Sequence, residues 1–381
     1  MCGCSWLGYD CNGARSATSQ LRFPRCRMVQ GKSIMHKSAQ LSVSIIICTR
    51  NRAESLRATL ASLGQVNLPC GWQVELILVD NGSTDNTSQI LLQTPLSGIR
   101  NRYVFEPQKG LSIARNRGVK ESSGDVLLFT DDDMRFPKGW IEYMCMPIME
   151  GKADAVAGRI DIPPHLRRSW MGSVHLGWLG VNADDLREPA VLELTGGNFA
   201  VKRAVLGPNT CFDEALGAGG LGFGEEVLLS RQLQRQGFRI CTASICVEHH
   251  FDELHLLRQN WLRDARQRGA SAAYIDYHWE HTGNPSVWKL MLAALRYVAC
   301  WIINPRWQNW REGADPTQLQ LLLRLHYRLQ MWRMRRQPRR YAQLPSNCRS
   351  LLVGDVLPLS SERDNGQLSL GCERPTRDGK Q

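Results

Sequence analysis

The sequence predicts an α/β protein: a mainly parallel sheet with helices on both faces, followed by a helical C-terminal extension. Three observations predict it. Short apolar, β-branched runs recur in the first third of the chain, and most end in a polar cluster. The segments between them repeat apolar residues at helical spacing. Beyond residue 255 the strand-like runs stop, and a helical pattern rich in Trp and Arg takes over.

In chain order, Ser42–Cys48 (SVSIIIC) reads as the first buried strand. Asn51 with Glu54 three residues on resembles a capping box, and Ala53, Leu56, Leu60 and Leu63 then mark a helix closed at Gly64. Val74–Val79 (VELILV) is the second strand, Asp80-Asn81-Gly82-Ser83 a turn, and Thr84–Leu92 a helix. Tyr103–Phe105 is a short third strand and Ser112–Glu121 a helix closed by Ser122-Ser123-Gly124. Val126–Thr130 (VLLFT) is the fourth strand and runs into Asp131-Asp132-Asp133. Strands alternating with helices imply a parallel sheet, and such sheets bind ligands beyond the carboxyl ends of their strands. Residues 151–254 lose the alternation, apart from a helix at Val227–Gln236 and an apolar run ending at Ile245–His250.

The chain of 381 residues is 43% hydrophobic, enough for one sizeable catalytic unit with extensions. Its thirteen cysteines are scattered and show no CxxC or zinc spacing, which favours free thiols in a reducing compartment. The net charge of +11 is uneven. Residues 1–41 form a basic extension expected to be disordered, or, over the first 34 residues, to reflect a start codon placed too far upstream. Residues 42–254 are mildly acidic, residues 255–345 carry fifteen Lys/Arg against five acids, and residues 346–381 form a polar tail. No apolar stretch of 18 residues and no secretory h-region is present, so a cytoplasmic protein, peripheral at most on the inner face of a membrane, is expected.

The acidic triplet carries the strongest chemical signal. Three adjacent carboxylates after a buried strand are costly unless a cation neutralises them, and a hard divalent ion bridging phosphate oxygens does so. The plain alternative is a solvated acidic turn; position at the ligand-binding edge of the sheet decides against it. A second acidic pair, Glu225-Glu226, opens a helix whose Leu229 and Leu233 point inward. The helix dipole there favours the ionised form a general base needs. The plain alternative is ordinary acid enrichment at a helix start. Gly217–Gly222 satisfies GxGxxG, but no strand precedes it, so it reads as a loop beside the base and not as a dinucleotide fingerprint.

Four ordered segments resemble the inverting family 2 glycosyltransferases of the GT-A fold, a Rossmann-like architecture. They are Cys48-Thr49-Arg50-Asn51-Arg52, with Cys where the family has Pro; Val79-Asp80-Asn81-Gly82-Ser83-Thr84-Asp85; Ala114-Arg115-Asn116-Arg117-Gly118; and Phe129-Thr130-Asp131-Asp132-Asp133. The resemblance covers residues 42–254. It implies that Thr49, Arg50, Asn51 and Asp80 hold the nucleoside of a nucleotide-sugar donor, UDP-linked by the family's base rate, and that Asp131–Asp133 hold a divalent metal (Mn2+ or Mg2+) and the diphosphate. Asp80 would use free lone pairs on its carboxylate. Lys109 and Arg115 could meet phosphate, and Asn198, in Thr195-Gly196-Gly197-Asn198, the donor sugar. Val247-Glu248-His249 matches a family segment that makes His249 a further metal ligand; since neighbours on a strand face opposite ways, at most one of His249 and His250 faces the site. The family's base is the second acid of Glu-Asp, the place of Glu226 here; the extra methylene keeps Glu225 a candidate.

Trp288–Ile303 is apolar but interrupted by Lys289 and Arg296, too short and charged for a span. Leu319–Arg340 mixes Leu, Met and Trp with seven arginines and reads either as an interfacial membrane helix or as a cap over the catalytic unit; nucleic acid ranks third, with no motif beside the charge. A glycan or lipid-linked acceptor, as in polysaccharide or cell-envelope synthesis, follows as the expectation. The rival readings are a sugar nucleotidyltransferase, whose glycine-rich loop is missing from Cys48–Arg52, and a non-catalytic nucleotide- or carbohydrate-binding protein.

Overall fold

The computed structural model describes residues 41–94, 96–182, 193–207 and 210–343. In chain order the elements are β1 (Ser42–Thr49), α1 (Ala53–Leu63), β2 (Gln73–Asp80), α2 (Thr87–Gln93), β3 (Arg100–Phe105), α3 (Leu111–Glu121), β4 (Val126–Asp131), β5 (Met134–Arg135), α4 (Trp140–Met149), β6 (Ala155–Asp161), α5 (Ser173–Trp178), β7 (Asn198–Lys202), α6 (Glu225–Arg235), β8 (Ile240–His249), α7 (Arg258–His278), α8 (Val287–Ile303) and α9 (Pro316–Met334). The expected extensions at 1–40 and 344–381 lie outside the described residues.

Strand order is β3-β2-β1-β4-β7-β6-β8-β5. The first four strands are parallel, and β7 enters antiparallel between β4 and β6. β6 and β8 run parallel to each other. Alternation along β1 explains the layers: Ile45 and Ile47 point into one core with Leu56, Leu60 and Trp140, and Ile46 points into the other with Phe129, Leu229 and Leu233. Gly118 lets α3 lie directly on the sheet, because a Cβ there would stand 2.5 Å from Ile46.

Register positions the site. Thr49 is opposite Asp80 and Cys48 is opposite Asp131, so the polar ends of β1, β2 and β4 share one edge. α7 and α9 pack over two further cores, one including Leu256, Trp261 and Leu319, the other Tyr274, Tyr327 and Met331. They cross closely at Gly269, where a Cβ would meet the Leu323 carbonyl at 2.2 Å.

Two local expectations are corrected, and one open alternative is narrowed. The capping box at Asn51 does not form: Asn51 takes a left-handed φ of 52°, and its Oδ1 accepts from Thr84 N at 2.7 Å, while Asp85 accepts the Ala53 N–H instead. α2 starts at Thr87 and not Thr84, because Thr84 and Asp85 are used in that loop-to-loop contact. α9 buries Leu319, Leu322, Tyr327, Met331 and Met334, so its apolar face is a cap and not a free interfacial surface.

Candidate active site

The acidic triplet leaves β4 with its backbone pinned from two sides. Ser55 Oγ and Thr59 Oγ1, one turn apart on α1, donate to the Asp132 carbonyl at 2.9 and 2.7 Å, and His250 N donates to the Asp133 carbonyl at 2.8 Å. Each carboxylate then meets a cation from the chain itself. Asp131 Oδ1 is 3.2 Å from Arg115 Nη2. Asp132 accepts from Thr49 Oγ1 at 2.6 Å and lies 3.1 Å from Arg52 Nη1. Asp133 Oδ2 lies 2.6 Å from Arg52 Nη2 and 3.4 Å from His249 Nε2. Burial raises the Asp131 carboxyl and, against the pull of Arg52, pushes Asp132 up to about 7. On Asp133 burial acts in the same sense but is outweighed by His249 and Arg52 together, which hold that carboxyl well below the usual range.

Arg115 is the hub of the site. It is buried, stands over the rings of Phe199 and Phe212, and donates to Glu225 Oε1 at 2.8 Å, to Asp131 and to the Gly196 carbonyl at 2.9 Å. Its charge is met by two carboxylates of the chain itself. Glu225 and Glu226 open α6 as expected, although the helix starts at Glu225 and not at Val227. Burial, then the neighbouring Glu226 carboxylate, push the Glu225 carboxyl up to about 8 despite Arg115. Glu226 Oε2 is buried and has no hydrogen-bond partner. The backbone at Gly196 walls its other oxygen, since a Cβ there would stand 3.2 Å from Oε1.

A cleft of about 350 Å³ opens beside this network. Thr49, Arg50, Arg52, Asn81, Asp131 and Asp132 line it, as do Cys48 and the glycine-rich loop at Ala218–Gly219. Burial pushes the Cys48 thiol up to about 12, so it stays protonated at the cleft wall. The glycine-rich loop is fastened to α3, with Leu111 N donating to the Ala218 carbonyl at 2.8 Å. Lys109 is exposed at the entry to α3 and does not line the cleft.

Other expected residues stand elsewhere. Asp80 Oδ1 accepts from Ser83 N at 2.8 Å and Oδ2 from Tyr103 at 2.7 Å, so it holds the turn, and its neighbour Asn81 lines the cleft. Asn51 serves the same loop and lines a separate open groove with Asp85 and His250. Asn198 is fully buried, accepting from Trp140 Nε1 at 2.9 Å and donating to the Arg159 carbonyl at 3.0 Å, so a sugar cannot reach its amide. The histidines divide as alternation requires: His249 faces Asp133, and His250 pairs with Glu248. Sequence reasoning missed Arg52 and Asn81. Both sit inside quoted motifs, and the spacing of Arg52, Ser55 and Thr59 on one face of α1 was the available signal.

The donor set suits a divalent cation. Asp133 Oδ1 is buried without a partner. His249 Nδ1 lies 3.0 Å from the Leu179 carbonyl, which can only accept, so Nδ1 carries the proton and Nε2 is the nitrogen turned to the triplet. Among the described residues no three His, Cys, Asp or Glu side chains form a ready-made cage. A hard cation that travels with a diphosphate needs only one or two protein carboxylates, the rest being water and phosphate oxygen.

Residues 44–207 match the family described as Glycosyl transferase family 2. Glycosyltransferase AglE of Haloferax volcanii is 32% identical over 120 residues, 31% of this chain and 39% of its own. The dolichol-phosphate mannosyltransferase of Pyrococcus furiosus is 28% identical over 178 residues, 44% and 47% of the two chains. The chain thus spans less than half the length of either relative. A mannosyltransferase from Pyrobaculum calidifontis, solved with GDP-Man and Mn2+, superposes with a TM-score of 0.50 at 16% identity, over 78% of this chain and 88% of that one. These similarities support a family 2 glycosyltransferase domain, and the fold is of the GT-A type.

Proposed function

We propose that this chain is an inverting glycosyltransferase that moves a sugar from a nucleoside-diphosphate sugar, UDP-linked by base rate, to a hydroxyl of a glycan or lipid-linked acceptor. The observation that carries the proposal is the Arg115 bridge. One buried guanidinium joins Asp131, at the cleft, to Glu225, the neighbour of Glu226. Donor-side and acceptor-side acids therefore form one rigid unit.

In this reading the nucleotide lies in the cleft against Thr49, Arg50 and Asn81. Asp131, Asp133 and His249 would hold Mn2+ or Mg2+, which when bound neutralises the departing nucleoside diphosphate. Arg52 is the cation that already neutralises Asp132 and Asp133, and it keeps the triplet folded before donor arrives. Glu226 takes the proton from the acceptor hydroxyl. Each glutamate keeps a buried Oε2 without a partner, and what separates them is that Glu225 Oε1 is held by Arg115. Burial and the adjacent Glu226 carboxylate raise the Glu225 carboxyl, which disfavours the ionised form a base needs. Attack from the face opposite the leaving group inverts the anomeric carbon.

Release of nucleoside diphosphate from a panel of sugar nucleotides, with and without Mn2+, tests the activity; release of pyrophosphate would instead mark a nucleotidyltransferase. Glu226→Gln should lower kcat by a factor on the order of 10²–10⁴ with an unchanged unfolding midpoint. Near-normal turnover in that variant would place the base elsewhere. The anomeric configuration of the product, read by NMR, tests inversion.

A further inference from the structure

α8 is the one long helix among the described residues that buries no side chain. Its inner positions, Ala293, Ala294 and Tyr297, lean partly on the molecule, while the opposite face is apolar and open. Trp288 is 74% exposed, Leu295 65% and Ile303 74%. Fully exposing this many large apolar side chains on one helix is unfavourable in water, by roughly 25 cal/mol for each Å² left wet. Something apolar covers this face when the protein works.

Charge beside the face says what. A groove of about 400 Å³ runs between α8 and α9, and Lys289, Arg296, Arg324 and Arg328 line it with no acid among the lining residues. None of the four forms an ion pair among the described residues. A second copy packed through this face would bring the same four cations against their own kind. The chain's own residues 346–381 carry equal numbers of acids and bases and offer no net attraction. An apolar strip flanked by cations matches an anionic bilayer, in which acyl chains take the strip and lipid phosphates take the cations. No described helix is long and apolar enough to cross a membrane, and α8, at 17 residues with two internal charges, suits lying along the interface.

We propose that α8 is an in-plane membrane anchor and that the groove of Lys289, Arg296, Arg324 and Arg328 binds the phosphate headgroups of an anionic leaflet. The anchoring surface is thus α8 and not the arginine-rich α9, whose apolar side is already buried. The inference does not depend on the catalytic reading, since vesicle binding is read without substrate.

The test is co-sedimentation of the full chain with phosphatidylcholine vesicles, with and without phosphatidylserine. Binding should require phosphatidylserine and weaken as salt rises. Leu295→Glu/Ile302→Glu, both at exposed positions, should abolish binding while leaving the circular dichroism spectrum and unfolding midpoint unchanged. Arg296→Gln and Arg324→Gln should each weaken binding about fivefold, as loss of one cation at an anionic surface predicts. Equal binding to both vesicle types, or full binding by the glutamate double variant, would overturn the proposal. So would a stable dimer that the double variant dissolves, since that assigns the face to a second copy.

Discussion

Positive charge is used in opposite ways at the two ends of the described chain. Around the triplet, Arg115 is buried, Arg52 is half-exposed, and each faces two carboxylates; His249 faces a third contact on Asp133. On α8 and α9, Lys289, Arg296, Arg324 and Arg328 line a groove without an acid. The first set cannot be removed without stranding a buried carboxylate. The second set forms no ion pair among the described residues, and Arg328 stands over the ring of Tyr327. An arginine count alone does not separate these roles; the partner of each guanidinium does.

The comparison breaks most sharply at Arg115. Arg115→Met would leave the buried Glu225 carboxyl without its cation and would remove the partner of Asp131. Removing one member of a buried ion pair costs about 3–5 kcal/mol, and chemical denaturation should read a loss of that size. Arg324→Gln, measured beside it, should fall within about 0.5 kcal/mol of the parent, as open surface changes do. Comparable losses in both would mean that the α8–α9 cations are structural after all.

A smaller effect sharpens the same comparison from the apolar side. Gly269→Val should force α7 and α9 apart, because the added atoms meet the Leu323 carbonyl and Tyr327 N. Overpacking of this kind costs about 1–3 kcal/mol, visible as a lower thermal midpoint. Leu295→Glu on α8 should cost far less, although it replaces a larger apolar group, since that side chain is already 65% exposed.

The first, second and fourth strands were legible as short, largely apolar runs, and parallel register then brings their polar ends onto one edge; of the third only Tyr103–Phe105 was legible, because Arg100–Arg102 are polar. The acidic triplet was legible from its position at the end of the fourth strand, and the opening of α6 from acids placed ahead of the helical spacing of Leu229 and Leu233. What sequence could not supply was partner choice. Asp80 and Asn81 are adjacent and both side chains are taken by the chain itself: Ser83 and Tyr103 donate to Asp80, while Asn81 at the cleft wall donates to the Gln108 carbonyl and accepts from Gly110 N. Asn198 carries a side chain that could serve a sugar, but Trp140 and Arg159, distant in sequence, consume it. Arg52 pairs with residues 80 and 81 positions away, contacts with no local signature. Leu319–Arg340 was read as amphipathic and Trp288–Ile303 only as too short and charged to span; which of α8 and α9 keeps its apolar face free depends on packing against α7, and no periodicity reports that.

The smallest effect concerns a site where cations meet an uncharged partner. His278, at the end of α7, is buried between Tyr274 and Tyr277, and its Nδ1 accepts from Arg340 N at 3.3 Å. Burial, then Arg340 and Arg339, push the imidazole down to about 4; Asp213 pulls the other way and His281 adds to the repulsion. An unfolded histidine takes up its proton near 6.5. Between those two values the unfolded chain binds a proton that the folded chain refuses, so stability falls as pH drops from about 6.5 towards 4. Above 6.5 the contribution is fully present. His278→Gln keeps an acceptor for Arg340 and cannot charge, so unfolding midpoints measured across this window should decline less steeply than in the parent. The difference between the two slopes should vanish above pH 7. An identical acid limb in both proteins would show that His278 charges as easily inside as outside, and that the arginines beside it are screened by solvent like those lining the α8–α9 groove.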